Sequence, residues 1–296
     1  MPSISQSTSS GVLASIDCRS EEAFLAGHKA GAISIPAPEL FARMHELPMR
    51  SEPLALWVDA STQAQAQAFL TDKGYRIIQT MLWTETLAQQ LALNNQLETG
   101  AARTYLWQPA PLIEHFVKDI MPRYQIQAGQ GLDIGCGAGR DLVYLAKHGW
   151  QMTGIDHLSG ALQRTQDLAV HNQVTVTTLQ IDLETADNPL ANLPAHSFDL
   201  IYGVRYLHRP LFPAMQKLLQ SKGVFLYQTF MEGCELLGGP RNPKFLLKQG
   251  ELASLFHPAT ILVDDIIYLN DGRPMSAFIA LMPDSVQPHI PSLWLI

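Results

Sequence analysis

The segment Leu132-Asp133-Ile134-Gly135-Cys136-Gly137-Ala138-Gly139-Arg140-Asp141 joins an acid, alternating glycines and an abrupt change of hydrophobic period. An apolar run ends at Ile134, and the helical pattern of Leu142–His148 starts just past the glycines. Glycines at such a junction permit a tight turn and a close approach of backbone to ligand, at the carboxyl edge of a sheet where nucleotide-like molecules bind. Two further acids, Asp156 and Asp182, close the next two apolar runs. An ionised carboxylate only accepts hydrogen bonds, which suits a diol or an amine donor, and such a charge-assisted bond is worth roughly 1.5–3 kcal/mol. The dinucleotide pattern G-x-G-x-x-G, started at Gly135, requires glycine where Arg140 stands, so the nicotinamide fingerprint fails.

The elements that must position these residues are legible in outline. Pro111–Met121 carries the apolar stripe Leu112, Ile113, Phe116, Val117 and Ile120 of an amphipathic helix. Strands are expected at Gly131–Ile134, Gln151–Asp156, Val174–Asp182, Phe198–Val204 and Val224–Phe230, with helices between them stopped by Gly149 and Gly223 at C′ positions. Thr260–Leu269 and Met275–Met282 flank Asn270-Asp271-Gly272, a hairpin signal. Alternating strands and helices followed by a hairpin predict an open, doubly wound α/β sheet of about seven strands.

The glycine segment resembles the D/E-x-G-x-G-x-G signature of class I S-adenosylmethionine-dependent methyltransferases, and residues 105–296 look like that Rossmann-like family throughout. The resemblance implies S-adenosylmethionine as cofactor. Asp156 would then accept from the ribose hydroxyls, and Asp182 would face the adenine amino group with the Leu183 N–H near the ring. Asp133 would help organise the methionine end with the backbone of Gly135 and Gly137. Cys136, between two glycines and without a histidine placed to activate it, reads as a packing residue.

Methyl transfer from a sulfonium is an in-line displacement, served by positioning, with a base needed only when the acceptor must lose a proton. In the family, the residues after the fourth strand line the acceptor site; here they are Gly203-Val204-Arg205-Tyr206-Leu207-His208-Arg209-Pro210. No N-P-P-Y/F-type sequence stands there, which argues against an amino-directed DNA or protein-glutamine methyltransferase. The later segment Gly238-Gly239-Pro240-Arg241-Asn242-Pro243-Lys244, with the Phe245–Leu252 stretch after it, resembles the tellurite-resistance and thiopurine-type small-molecule enzymes. Arg205, His208, Arg209, Arg241 and Lys244 thus become candidates for an electropositive pocket taking a small acceptor, anionic or chalcogen-containing, with His208 as a candidate base.

The first hundred residues tell a separate story. Val12–Asp17 and Leu54–Asp59 read as strands, Glu21–Ala26 and Ala64–Gly74 as helices, giving a small parallel-sheet α/β domain. Asp17-Cys18-Arg19-Ser20-Glu21-Glu22-Ala23-Phe24, then Gly27-His28-Lys29-Ala30-Gly31-Ala32 and Ile35-Pro36, resemble a rhodanese domain over residues 11–95. Active rhodaneses carry sulfur on a cysteine in the loop after a later strand. Here that loop is Asp59-Ala60-Ser61-Thr62-Gln63-Ala64, without cysteine or arginine. Sulfurtransferase activity is therefore expected to be absent, with Cys18 in packing and the domain serving to dock a partner protein or a sulfur-bearing substrate, or to cover the catalytic domain. Residues 96–104 read as a linker and 1–10 as a loose, Ser-rich tip.

Composition bounds the rest. The chain has 296 residues, 47% hydrophobic and 16% charged, enough for packed cores rather than a disordered chain. No apolar run reaches the length of a membrane helix, and the N-terminus lacks signal-peptide features. Three scattered cysteines suit neither a disulfide framework nor a metal site, so a cytoplasmic protein without metal is expected. The net charge is −7, which counts against a phosphate-gripping nucleic-acid binder. A small-molecule methyltransferase leads; an RNA or protein methyltransferase and a non-enzymatic cofactor-binding scaffold are the alternatives.

Overall fold

The computed structural model describes residues 13–50, 52–102, 105, 107–185, 188–269 and 272–284. The Ser-rich tip and the Asn270-Asp271 pair lie outside the described residues. The chain divides into two compact units, one within residues 6–108 and one within 109–296.

The first unit runs β1 (Ala14–Asp17), α1 (Glu21–Ala26), β2 (His28–Lys29), β3 (Ile33–Ser34), β4 (Pro53–Val58), α2 (Gln63–Asp72), β5 (Arg76–Leu82), α3 (Glu85–Leu93) and β6 (Leu97–Glu98). Its sheet is parallel in the order β3-β1-β4-β5. Strand β4 is interior, and Leu54–Val58 are buried on both faces, as a continuous apolar run requires. Within the segment expected as a linker, Leu97–Glu98 form β6, which pairs antiparallel with β2, Lys29 opposite Leu97. A two-residue strand has no period to betray it in sequence.

Polar groups of the first motif are consumed inside this unit. Arg19, 4% exposed, donates from Nη2 to Asp17 Oδ2 at 2.6 Å and to the Gly27 carbonyl at 2.7 Å, beneath the Trp83 ring at 3.7 Å. Buried charges persist only when paired and hydrogen-bonded this fully. His28 is buried and stacked on Phe24 at 3.7 Å, and Cys18 is a fully buried core residue.

The second unit runs α4 (Pro111–His115), α5 (Met121–Tyr124), β7 (Gln130–Ile134), α6 (Arg140–Lys147), β8 (Gln151–Asp156), α7 (Ser159–His171), β9 (Thr177–Gln180), β10 (Phe198–Val204), α8 (Phe212–Leu218), β11 (Leu219–Gln228), α9 (Glu251–Leu255), β12 (Thr260–Tyr268) and β13 (Pro274–Leu281). Among the described residues its sheet has seven strands in the order β12-β13-β11-β10-β7-β8-β9, parallel except for the antiparallel β13. The order turns back at β7, so the carboxyl ends of β7, β8 and β10 frame the crevice where such sheets bind ligands.

Three sequence expectations are adjusted. The helix at 111–121 is interrupted by a π-type turn over Phe116–Ile120; Pro122 has no N–H to give, and the wider turn accommodates its ring. Gly223 stops no helix, because α8 passes directly into β11 and Gly223 lies within that strand. Strand β9 ends at Gln180, two residues before Asp182, although the Ile181 N–H still donates to the Asp156 carbonyl at 3.1 Å. Gly149 does follow the end of α6 with φ +90°, the left-handed turn that glycine makes without strain.

Candidate functional site

Asp133 sits within β7, opposite Tyr202 of β10 and Gly154 of β8. It is 3% exposed, and Tyr202 donates its hydroxyl to Asp133 Oδ2 at 2.7 Å. Burial pushes this carboxyl well above the usual carboxylate range, with Asp141 and Asp156 adding to the rise and the Tyr202 hydroxyl opposing it.

Beyond β7 the chain turns through Gly135, Gly137 and Gly139, with φ of +75°, +56° and +74°. A side chain at Gly135 would stand 3.0 Å from the Tyr206 ring, and one at Gly139 would run into buried Thr165 at 2.5 Å. The loop is fastened from two sides. The Gly135 and Cys136 N–H groups both donate to the Ile155 carbonyl at 2.9 Å. Thr165 Oγ1, on α7, donates to the Gly137 carbonyl at 3.0 Å. Cys136 fills the space above Gly154, and burial, then the Asp133 and Asp156 charges, raises its thiol far from reactivity.

Asp156, last residue of β8, connects the pieces. Its Oδ2 accepts the Gly137 N–H at 3.0 Å and its Oδ1 the Leu158 N–H at 2.9 Å, at the entry to α7. Asp182 is exposed, and its Oδ1 accepts the N–H of Glu184 at 3.0 Å and of Thr185 at 3.3 Å. Those donors, Glu184 foremost, hold its carboxyl below the ordinary value. The Leu183 side chain points into the core.

The basic residues fare differently from one another. Arg209 is spent on structure: its guanidinium makes a two-point contact with Glu251 at 2.6 and 2.9 Å and donates to the carbonyls of Lys244 and Leu246. It pins the 244–251 segment rather than offering charge to a ligand. Arg205 is exposed and holds φ +57°, with its N–H donating to the Gln228 carbonyl at 2.8 Å. His208 is half-buried, while Arg241 and Lys244 are exposed in the loop that follows β11.

Two roles are absent from the sequence reading. Asp141, in the first turn of α6, accepts the Ala110 N–H at 2.6 Å, and Gln228, at the end of β11, accepts the Leu112 N–H at 3.1 Å. Together they satisfy donors at the start of α4, which has no side-chain cap of its own. Burial raises the Asp141 carboxyl, against the pull of the Ala110 N–H, Arg205 and Arg140. Asp141 follows the glycine motif directly, a visible signal; Gln228 gives none, because its partner lies 116 residues away.

Residues 132–223 match the methyltransferase domain family. An uncharacterized protein of Schizosaccharomyces pombe, UNK4.09, is 22% identical over 320 residues, spanning 91% of this chain and 94% of its own length. Among solved structures, TehB from Haemophilus influenzae is 17% identical with a TM-score of 0.46, over 63% of this chain and 73% of its own. The 1,6-didemethyltoxoflavin-N1-methyltransferase of Burkholderia thailandensis, solved with bound 1,6-didemethyltoxoflavin and S-adenosylhomocysteine, is 16% identical with a TM-score of 0.43, over 58% of this chain and 79% of its own.

The raised Asp133 carboxyl has a pH consequence. Its unfolded value lies near about 4, so between that value and the folded one the native chain holds the extra proton. This contribution to stability is complete below the unfolded value and is lost as pH rises through the folded one. Asp133→Asn still accepts from Tyr202 but does not titrate. Urea unfolding from about pH 4.5 to about pH 8 should show wild type losing stability relative to the variant; a difference that stays flat contradicts the assignment.

Proposed function

We propose that this S-adenosylmethionine-dependent methyltransferase transfers its methyl group to a small acceptor that is anionic or carries a soft chalcogen atom. The observation that carries the cofactor reading is the Asp156 carboxylate, which holds the Gly137 N–H with one oxygen and the Leu158 N–H with the other. One bond per oxygen leaves acceptor capacity for the two hydroxyls of a ribose. Asp182, whose Oδ1 accepts from its own turn, is the carboxylate we assign to an adenine amino group. Close backbone at Gly135 and Gly137 suits the methionine end, with Asp133 and Tyr202 fixing the strand beneath it. When bound, the cofactor supplies an electrophilic methyl group on a cationic sulfur.

The protein's own part is to orient and to exclude water. Asp141 and Gln228 anchor the start of α4 beside the glycine loop. Arg209 shapes the segment that carries Lys244, and Arg205 and Arg241 remain as the charges available to an anionic acceptor. His208 serves as base when the acceptor must lose a proton. Among the described residues no helix is long and apolar enough to cross a membrane.

The first unit we read as rhodanese-like and inert in sulfur transfer, with a docking or covering role. The loop after β4 folds onto its own acid: Asp59 Oδ1 accepts from the Ser61 N–H at 2.9 Å, the Ser61 hydroxyl at 2.6 Å and the Thr62 N–H at 3.0 Å. The Ser61 and Thr62 donors are thereby turned onto the loop's own acid rather than toward an external anion. Burial, then the neighbouring Asp17 charge, pushes the Cys18 thiol up to about 12. A thiosulfate:cyanide assay should give no turnover; turnover abolished by Cys18→Ser would overturn this assignment.

The acceptor is tested by S-adenosylhomocysteine release in the presence of chalcogen oxyanions and small thiols, then RNA. The expected outcome is turnover with a small acceptor whose KM rises roughly tenfold in Arg205→Ala or Arg241→Ala, the loss of one charged hydrogen bond. Turnover with RNA alone, or a KM indifferent to both substitutions, would contradict the proposal.

A further inference from the structure

We infer that the first unit carries a binding site of its own, an open hollow between one face of its sheet and α3, which takes a small monoanionic molecule with an apolar body. The inference stands apart from the cofactor reading and gives the docking role of this unit a place and a ligand chemistry.

The hollow follows from the register of the sheet. Ser15 of β1 stands opposite Ala55 of β4, and Ala55 opposite Gln79 of β5. Two residues on, the same face carries the row Asp17, Trp57 and Met81. Leu87 and Leu91, one turn apart on α3, join the apolar cluster of Trp57 and Met81, so the helix rides at the height of an indole ring. Serine and alanine are too short to fill that height in the neighbouring row. The space left measures about 430 Å³, within the ~300–1,000 Å³ of small-molecule sites. It lies toward the amino ends of β1 and β4, at the opposite end of the sheet from the Asp59 loop.

Its rim departs from what a covering helix requires. Residues 87, 90, 91 and 94 share one face of α3 and its end, and a helix lying flush on a sheet would place apolar side chains at all four. Gln90 and Asn94 stand there instead, both exposed and both bordering the hollow, with Gln79 and Gln96 beside them. These carboxamides offer N–H donors and carbonyl acceptors at the mouth of an otherwise apolar space. Lys29 of β2 also lines it; the ammonium donates to the Ala30 carbonyl at 3.0 Å, which leaves further N–H donors. Among the described residues that line the hollow none is an Asp or Glu, so Lys29 brings its single charge. One ammonium beside an apolar floor selects one negative charge, and the partly enclosed position weakens screening by solvent. Trp57, Met81 and Leu87 supply the surface for the apolar body.

The test is calorimetric titration of the full-length protein with hexanoate, phenylacetate and indole-3-acetate and with the corresponding amides. At least one acid should bind saturably, about tenfold or more tighter than its amide, the worth of one charged hydrogen bond. Lys29→Met should erase that difference. Gln90→Glu, an exposed substitution, should weaken the acid and spare the amide. In ¹⁵N spectra the acid should shift the side-chain amide signals of Gln79, Gln90 and Asn94, and excess S-adenosylhomocysteine should not displace it. No saturable binding by any acid overturns the site, as does equal affinity for acid and amide. Binding unchanged in both variants, or displacement by S-adenosylhomocysteine, places the ligand elsewhere and overturns it too.

Discussion

One oxygen of the Asp156 carboxylate accepts the N–H of Gly137 and the other that of Leu158, and the crevice is organised around this pair of bonds. A loop of three left-handed glycines has large conformational freedom, and ordering it costs entropy that glycine pays in full. Asp156 meets that cost from the end of the neighbouring strand, assisted by the Ile155 carbonyl below and Thr165 Oγ1 on α7. The same carboxylate orders the entry to α7. Strand, loop and helix thus share one anion, and whatever donates to its remaining lone pairs is positioned by all three.

Around that centre the acids divide by environment. Asp133 and Asp141 are raised by burial and act within the scaffold, one holding Tyr202 across the sheet and the other holding the start of α4. Asp182 is exposed, lowered by its own turn, and stays ionised. Identical chemical groups therefore perform different work at one end of one sheet. The arginines divide in the same manner: Arg209 is consumed by Glu251 and two carbonyls, whereas Arg205 and Arg241 stay exposed.

What the sequence reveals and conceals follows from the range of the interactions. The strands Gln151–Asp156 and Phe198–Val204 match expectation end to end, because a short run of mostly apolar or β-favouring residues set between turn residues and ended by an acid or a turn is a local signal. The glycine loop and the order of its acids are legible for the same reason. Residues 97–98 escape because a strand of two leaves no period, and β5 with α3 escapes because its alternation is blurred by exposed Ile78 and Leu82. Arg209 misleads because its partner Glu251 lies 42 residues on, so its charge looks free in sequence and is satisfied in space. Tyr206 is silent for a related reason: its contact with Gly135 exists only once β7 and β10 pair.

The central claim is that Asp156 both orders the glycine loop and anchors the cofactor. Hydrogen exchange at the Gly137 and Leu158 amides, with and without S-adenosylhomocysteine, tests both halves in one measurement. Wild type should protect both amides and protect them further when the ligand is added, while Asp156→Ala should lose the basal protection and the ligand's effect together. Equal protection in the two proteins, or a ligand response that survives the substitution, would contradict the account.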